Sequence, residues 1–140
     1  MSASMELLAV YLHLARASQR RRRPHVRDRL LTLGAVIAAE EGLPRIAAYC
    51  RHCVLAHNPQ HLLHRWPTLR DALGDPEFIH FLRHLRRRYP QEKAERMLDA
   101  LGIDTASERA AYYSDEEYAA SLLGIGVAQL EAMFGGDAHP

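Results

Sequence analysis

RRRPHVRDRLLTLGAVIAAEEGLPRIAAYC, residues 21–50, decides the fold class. Val26, Leu30, Leu33 and Ile37 follow one another at spacings of four, three and four, which places them along one face of a helix. Pro24 stands where a first-turn proline is tolerated, because its missing N–H would be an orphan donor in any case. Gly42 falls just past the last apolar residue, where a helix commonly turns left-handed and stops. Pro44 then opens the next helix, with Ile46, Cys50, Cys53 and Val54 on its inner face. Helix, proline, helix is the grammar of this segment, and the rest of the chain follows it.

Upstream, MSASMELLAVYLHLARAS, residues 1–18, has no basic leader, and its apolar residues are helically spaced around His13 and Arg16. It reads as a folded helix rather than a secretory signal. Ser4 is expected to start it, with Leu8, Leu12 and Ala15 on one face and Leu7, Tyr11 and Leu14 broadening that face. Downstream, Asn58-Pro59 must interrupt the third helix. A short helix carrying Leu62, Leu63 and Trp66 ends at Pro67, and one or two turns over Thr68 to Leu73 end at Gly74. Asp75-Pro76-Glu77 starts a helix whose buried stripe is Phe78, Phe81, Leu82 and Leu85. Pro90 begins another, with Ala94, Met97, Leu98 and Leu101 inward and Gly102 at its end. Ser114 to Glu117 forms an S-x-x-E capping box, and a last helix spans about Val127 to Phe134. No alternating β-branched run and no Asn-Gly or Asp-Gly hairpin occurs. The expected architecture is all-α: an irregular or orthogonal bundle of six to eight short helices with proline-marked breaks, in a single domain over residues 1–140.

Charge divides the chain. Residues 1–90 hold 15 Lys+Arg against 7 Asp+Glu, a net of +8, and residues 91–140 hold 3 against 10, a net of −7. The basic part and the acidic part are expected to neutralise one another within the chain. Self-association through the two parts, or an external polyanion, are the alternatives. No run of about 18 apolar residues exists, so no membrane span and a cytoplasmic location are expected. Cys50 and Cys53 are too few for a disulfide framework.

Those cysteines open the densest chemical stretch, CRHCVLAHNPQHLLH, residues 50–64. Cys50, Cys53, His57 and His61 are spaced three, four and four apart, and a kink at Asn58-Pro59 brings His61 or His64 back toward the preceding turn. Two thiolates and two imidazoles suit tetrahedral zinc, so a structural or regulatory zinc site on Cys50, Cys53, His57 and His61 or His64 is one expectation. The competing one is that both thiols are core residues on the apolar face of their helix, with histidines at its edge, and no cofactor. His80 and His84, one turn apart, lie beside Arg83 and Arg87 and read as a solvated face.

Arg20, Arg21, Arg22, Arg23, Arg27 and Arg29 surround one helix junction, and Arg83, Arg86, Arg87 and Arg88 cluster on a second helix. Guanidinium forks suit phosphate and carboxylate, and together the ten arginines are expected to make one basic face. The leading functional expectation is a non-enzymatic binding or adaptor module whose basic face meets an acidic protein surface or nucleic-acid phosphate. No phosphate-cradling glycine loop, nucleophile elbow or H-E-x-x-H helix is present.

EEYAASLLGIGVAQLEAMFG, residues 116–135, resembles the helix-turn-helix motif of DNA-binding regulators. Ala120 matches the small residue where the helices cross, Gly124 the turn, and Ile125, Leu130 and Met133 the apolar positions. The resemblance implies a transcriptional regulator with Gln129 as base reader. The would-be recognition helix VAQLEAMF departs from it in having no Lys or Arg, and the residues alone favour a hairpin used for packing or docking.

Overall fold

The structure is a computed structural model and describes residues 1–135. Among them all regular secondary structure is helical. It runs through α1 (Ala3–Arg20), α2 (Pro24–Glu40), α3 (Pro44–His57), a 3-10 turn (Leu62–Arg65), α4 (Leu69–Leu73), α5 (Pro76–Arg88), α6 (Gln91–Asp99), α7 (Thr105–Arg109), α8 (Asp115–Leu123) and α9 (Val127–Phe134). Nine α-helices among the described residues exceed the six to eight expected. The helix with no counterpart in the sequence reading is α7, started by Asp104, whose carboxylate accepts from the Ser107 backbone N–H. The first cap also differs. Ser2, not Ser4, accepts from the Met5 N–H at 3.0 Å, and the helix begins at Ala3.

The first three helices form an antiparallel trio, fixed by contacts at both ends. Ser2 donates to the Glu41 carboxylate at 3.1 Å, which brings the start of α1 beside the end of α2. At the other end Arg27 of α2 donates to the Cys53 carbonyl of α3 at 3.1 Å. Gly34 permits the close approach of α1 to α2: a Cβ there would stand 3.2 Å from Leu12 Cδ2. A continuous apolar cluster runs from Met5, Leu8 and Leu12 through Leu30, Ile46 and Val54 to Phe78, Leu82, Tyr118 and Leu130. Of the expected stripe, Phe78, Leu82 and Leu85 are buried, and Phe81 is partly buried at its edge. Helices α6, α7 and α8 cover α1, and α9 packs on α3. No helix among the described residues is long and apolar enough to cross a membrane.

Candidate basic end and its cleft

The antiparallel trio gathers the end of α1, the start of α2 and the end of α3 at one pole of the molecule. Seven arginines and one acid lie between residues 16 and 29. The acid, Asp28, is 4% exposed and already engaged, so Arg16 and Arg20 to Arg23 stand in solvent with no acidic partner among the described residues.

The turn that displays them is a Schellman cap. The Arg23 N–H donates to the Ser18 carbonyl at 2.9 Å and the Arg22 N–H to the Gln19 carbonyl at 3.0 Å. This geometry puts residue 22 in the left-handed region at φ 57°, and among the described residues Arg22 is the one non-glycine with positive φ. Helices α2 and α8 close with the same bond pattern, and there the left-handed position is held by Gly42 (φ 74°) and Gly124 (φ 73°). A side chain with a Cβ costs roughly 1–2 kcal/mol in that conformation. An arginine therefore occupies the position where glycine would be the relaxed choice.

Behind the turn, Arg27 is clamped. Its Nε and Nη2 donate to one oxygen of Asp28, at 3.3 and 3.0 Å, and Nη2 also reaches the Cys53 carbonyl. His57 Nδ1 donates to the other Asp28 oxygen, and the His25 ring meets the His57 ring edge-on. The remaining Arg27 nitrogen, Nη1, lies 3.5 Å from the Gln19 side-chain oxygen. In front of it opens a cleft of about 480 Å³, lined by Leu12, Ala15, Arg16, Gln19, Arg20, Arg27, Leu31, Cys53 and Leu122 to Gly124. The sequence reading missed Arg16, Gln19 and Asp28 as members of this site. The available signal was helical spacing, since residues 12, 16 and 20 share one face of α1 with 15 and 19.

The ten arginines expected to form one face divide into two groups. Arg86 approaches Glu40 at 3.9 Å, at the far end of α2 from Arg27. The 17-residue length of α2 puts about 24 Å between those ends. Arg83, Arg86, Arg87 and Arg88 thus make a second, exposed patch rather than an extension of the first.

Of the residues expected to hold zinc, His57, His61 and His64 make hydrogen bonds to other protein groups. Cys50 is fully buried and Cys53 half-buried, and burial pushes both thiols above their ordinary pKa. His57 is bound to Asp28. His61 Nδ1 accepts from the Leu63 N–H at 3.1 Å and so caps the 3-10 turn, while His64 Nδ1 donates to the His61 carbonyl at 2.8 Å. No group of three or more His, Cys, Asp or Glu residues placed to hold a metal occurs among the described residues. His80 and His84 are exposed, with their Nε2 atoms 3.2 Å apart.

The acidic part meets the basic part at other places. Arg45 at the start of α3 forms a fork with Glu116, at 2.9 and 2.8 Å, and lies 3.7 Å from Glu131. Glu108 of α7 accepts from His13 at 2.7 Å and from the Tyr118 hydroxyl at 2.8 Å. Arg109 holds Asp115 at 2.8 Å. None of these acids reaches Arg20 to Arg23, so the expected neutralisation of the basic part is achieved at Arg45 and not at the arginine cluster. In the helix pair α8–α9, Ala120 and Leu130 are buried, Gly124 turns the chain, and the Gln129 side chain accepts from the Gly126 N–H at 3.0 Å. The residue placed to read bases is occupied as a cap.

No family model matches the chain, and searches of the curated proteins and of the solved structures found no match.

Proposed function

We propose that the protein is a helical binding module whose arginine end, Arg16 and Arg20 to Arg29, takes up the phosphate backbone of a nucleic acid. The observation that carries this reading is Arg22. A left-handed arginine in a cap that the chain elsewhere builds with glycine is a local strain kept in place by its surroundings, and such strain concentrates at functional positions. Guanidinium forks pair with phosphate oxygens bidentately, and the clustering of Arg16 and Arg20 to Arg23 without acidic partners among the described residues suits a repeating anion. Backbone contacts of this kind carry no base readout, which agrees with the occupied Gln129.

Fluorescence anisotropy with a labelled 20-base-pair duplex, titrated from 50 to 200 mM salt, tests the reading. The expected result is a linear fall of log affinity with log salt, at about 0.9 per phosphate contacted. Arg21→Gln with Arg23→Gln should lower that slope by about 2. A flat salt response, or an unchanged slope in the double variant, removes the proposal.

A further inference from the structure

The cleft beside the arginine turn adds to those arginines a feature that the nucleic-acid reading does not use. Its floor is aliphatic, built from Leu12, Ala15, Leu31, Leu122 and Leu123, with the Cys53 side of α3 as one wall. No aromatic ring lines it, so it offers no stacking surface to a nucleobase. Its mouth carries Arg16, Arg20 and Arg27. Arg27 is held rigid from behind by Asp28 and the Cys53 carbonyl, which leaves Nη1 directed to Gln19 at the opening. Three guanidiniums less the Asp28 charge leave a local excess of two. That excess complements a phosphate monoester, which carries between one and two negative charges near neutral pH. A volume of about 480 Å³ lies within the usual range for ligand pockets, roughly 300–1,000 Å³.

We infer that this cleft binds an amphiphile with an aliphatic chain and a phosphate-monoester head, the chain on the leucine floor and the head between Arg16, Arg20 and Arg27. Two sources share that chemistry, a free alkyl phosphate and a phosphatidic-acid headgroup with its chain. The inference shares Arg16, Arg20 and Arg27 with the nucleic-acid reading but is tested separately from it, because Arg21 and Arg23, which the duplex test substitutes, do not line the cleft.

Isothermal titration of the full chain with octyl phosphate, ethyl phosphate and inorganic phosphate tests it. Octyl phosphate should bind once per chain and at least tenfold tighter than ethyl phosphate. Arg16→Gln, on an exposed side chain that leaves the core intact, should weaken octyl phosphate at least fivefold while preserving the advantage of the longer chain. Cys53 supplies a second readout that locates the ligand. Cys50 is fully buried, so N-ethylmaleimide labelling at pH 8.5 reports Cys53, with Cys53→Ser as the blank. Saturating octyl phosphate should slow that labelling several-fold. Vesicles of phosphatidylcholine with and without phosphatidic acid separate the sources. Protection of Cys53 only with phosphatidic-acid vesicles assigns a membrane lipid, and protection by octyl phosphate but by neither vesicle assigns a soluble ligand. Equal affinity for the three phosphates, or full labelling of Cys53 under saturating octyl phosphate, overturns the inference. Either result leaves the duplex titration untouched.

Discussion

Arg22 is the residue at which stability and the proposed function oppose one another. Glycine relieves the left-handed strain but adds freedom to the unfolded chain, and the two effects partly offset. The expected net gain for Arg22→Gly is on the order of 0.5–1 kcal/mol, a rise in melting temperature of about 2 °C. The same substitution should weaken duplex binding, because it removes one exposed cation from the turn. A variant that is less stable than the parent, or that binds as well, would detach Arg22 from function. His61 gives a second test at this scale. Burial lowers its pKa below the ordinary imidazole value, His64 adds to this, and Asp28 opposes it. The unfolded chain then takes a proton more readily than the folded one, so stability is intact above about pH 6.5 and declines as pH falls below it. Protonation also destroys the acceptor that holds the Leu63 N–H. Asparagine retains an acceptor without titrating, so the urea midpoint of His61→Asn should fall less between pH 7.5 and pH 5.5 than that of the parent. Equal losses would rule out His61 as the titrating group. Neither feature was legible from residue type alone. The Schellman position was hidden because four consecutive arginines read as charge rather than as a turn, and at His61 a helix-end role competed with a metal-ligand role.

Most helices of this protein announce their ends. Pro24, Pro44 and Pro76 lie in first turns, Thr68, Asp75 and Ser114 cap as their spacing indicates, and Gly42 and Gly124 are left-handed at helix ends. Helix α7 escapes that grammar because its five residues, Thr105–Arg109, contain no apolar period and bury nothing of their own. Its place is set by polar bonds instead. Glu108 reaches into α1 and α8, where His13 is 6% and Tyr118 1% exposed, and Arg109 donates to the Tyr112 carbonyl at 2.7 Å as well as to Asp115. The signal that was present is Asp104 as an N-cap, which marks where a helix begins without saying how far it runs. Truncation of Glu108 leaves two buried polar groups without their partner, each of which costs about 1–3 kcal/mol when unsatisfied. Because Glu108 is itself partly exposed and water can reach it, the expected loss for Glu108→Ala is about 2 kcal/mol in a denaturant titration. Asp104→Ala removes only the cap and should cost less than Glu108→Ala. If the two variants lose equal stability, α7 is held by its cap alone and the buried bonds contribute nothing measurable.

At the scale of the whole molecule, the sequence showed that charge was segregated but not where the segregation would lie. A basic first part and an acidic last part suggest a tail lying over a basic face. In the structure the acidic helices α7, α8 and α9 lean instead on α1 and α3, and the acids closest to the basic part converge on Arg45. Arg45 sits eight residues along α3 from Cys53, the point that Arg27 reaches, which corresponds to about 12 Å of helix. That distance exceeds the screening length of about 8 Å at 0.15 M salt. Glu116 and Glu131 therefore exert little field at the arginine turn, and Glu116→Gln with Glu131→Gln should leave duplex affinity within about twofold at 0.15 M salt. A larger gain would revive a masking role for the acidic part. Removing that part altogether is a different experiment, because it is not a loose tail. Tyr118, Ala119, Ala120, Leu122 and Leu130 are buried and belong to the same apolar cluster as Leu8, Leu12 and Ile46. A chain ending at residue 103 would expose the faces of α1 and α3 that these residues cover, along with His13, whose partner Glu108 would be gone. The expected outcome is loss of a cooperative melting transition by circular dichroism, with helix content falling by more than the deleted helices themselves contain. A truncated chain that still melts in a single sharp step would mean that α1 to α6 close a core without the acidic part, and only then could masking be tested by deletion.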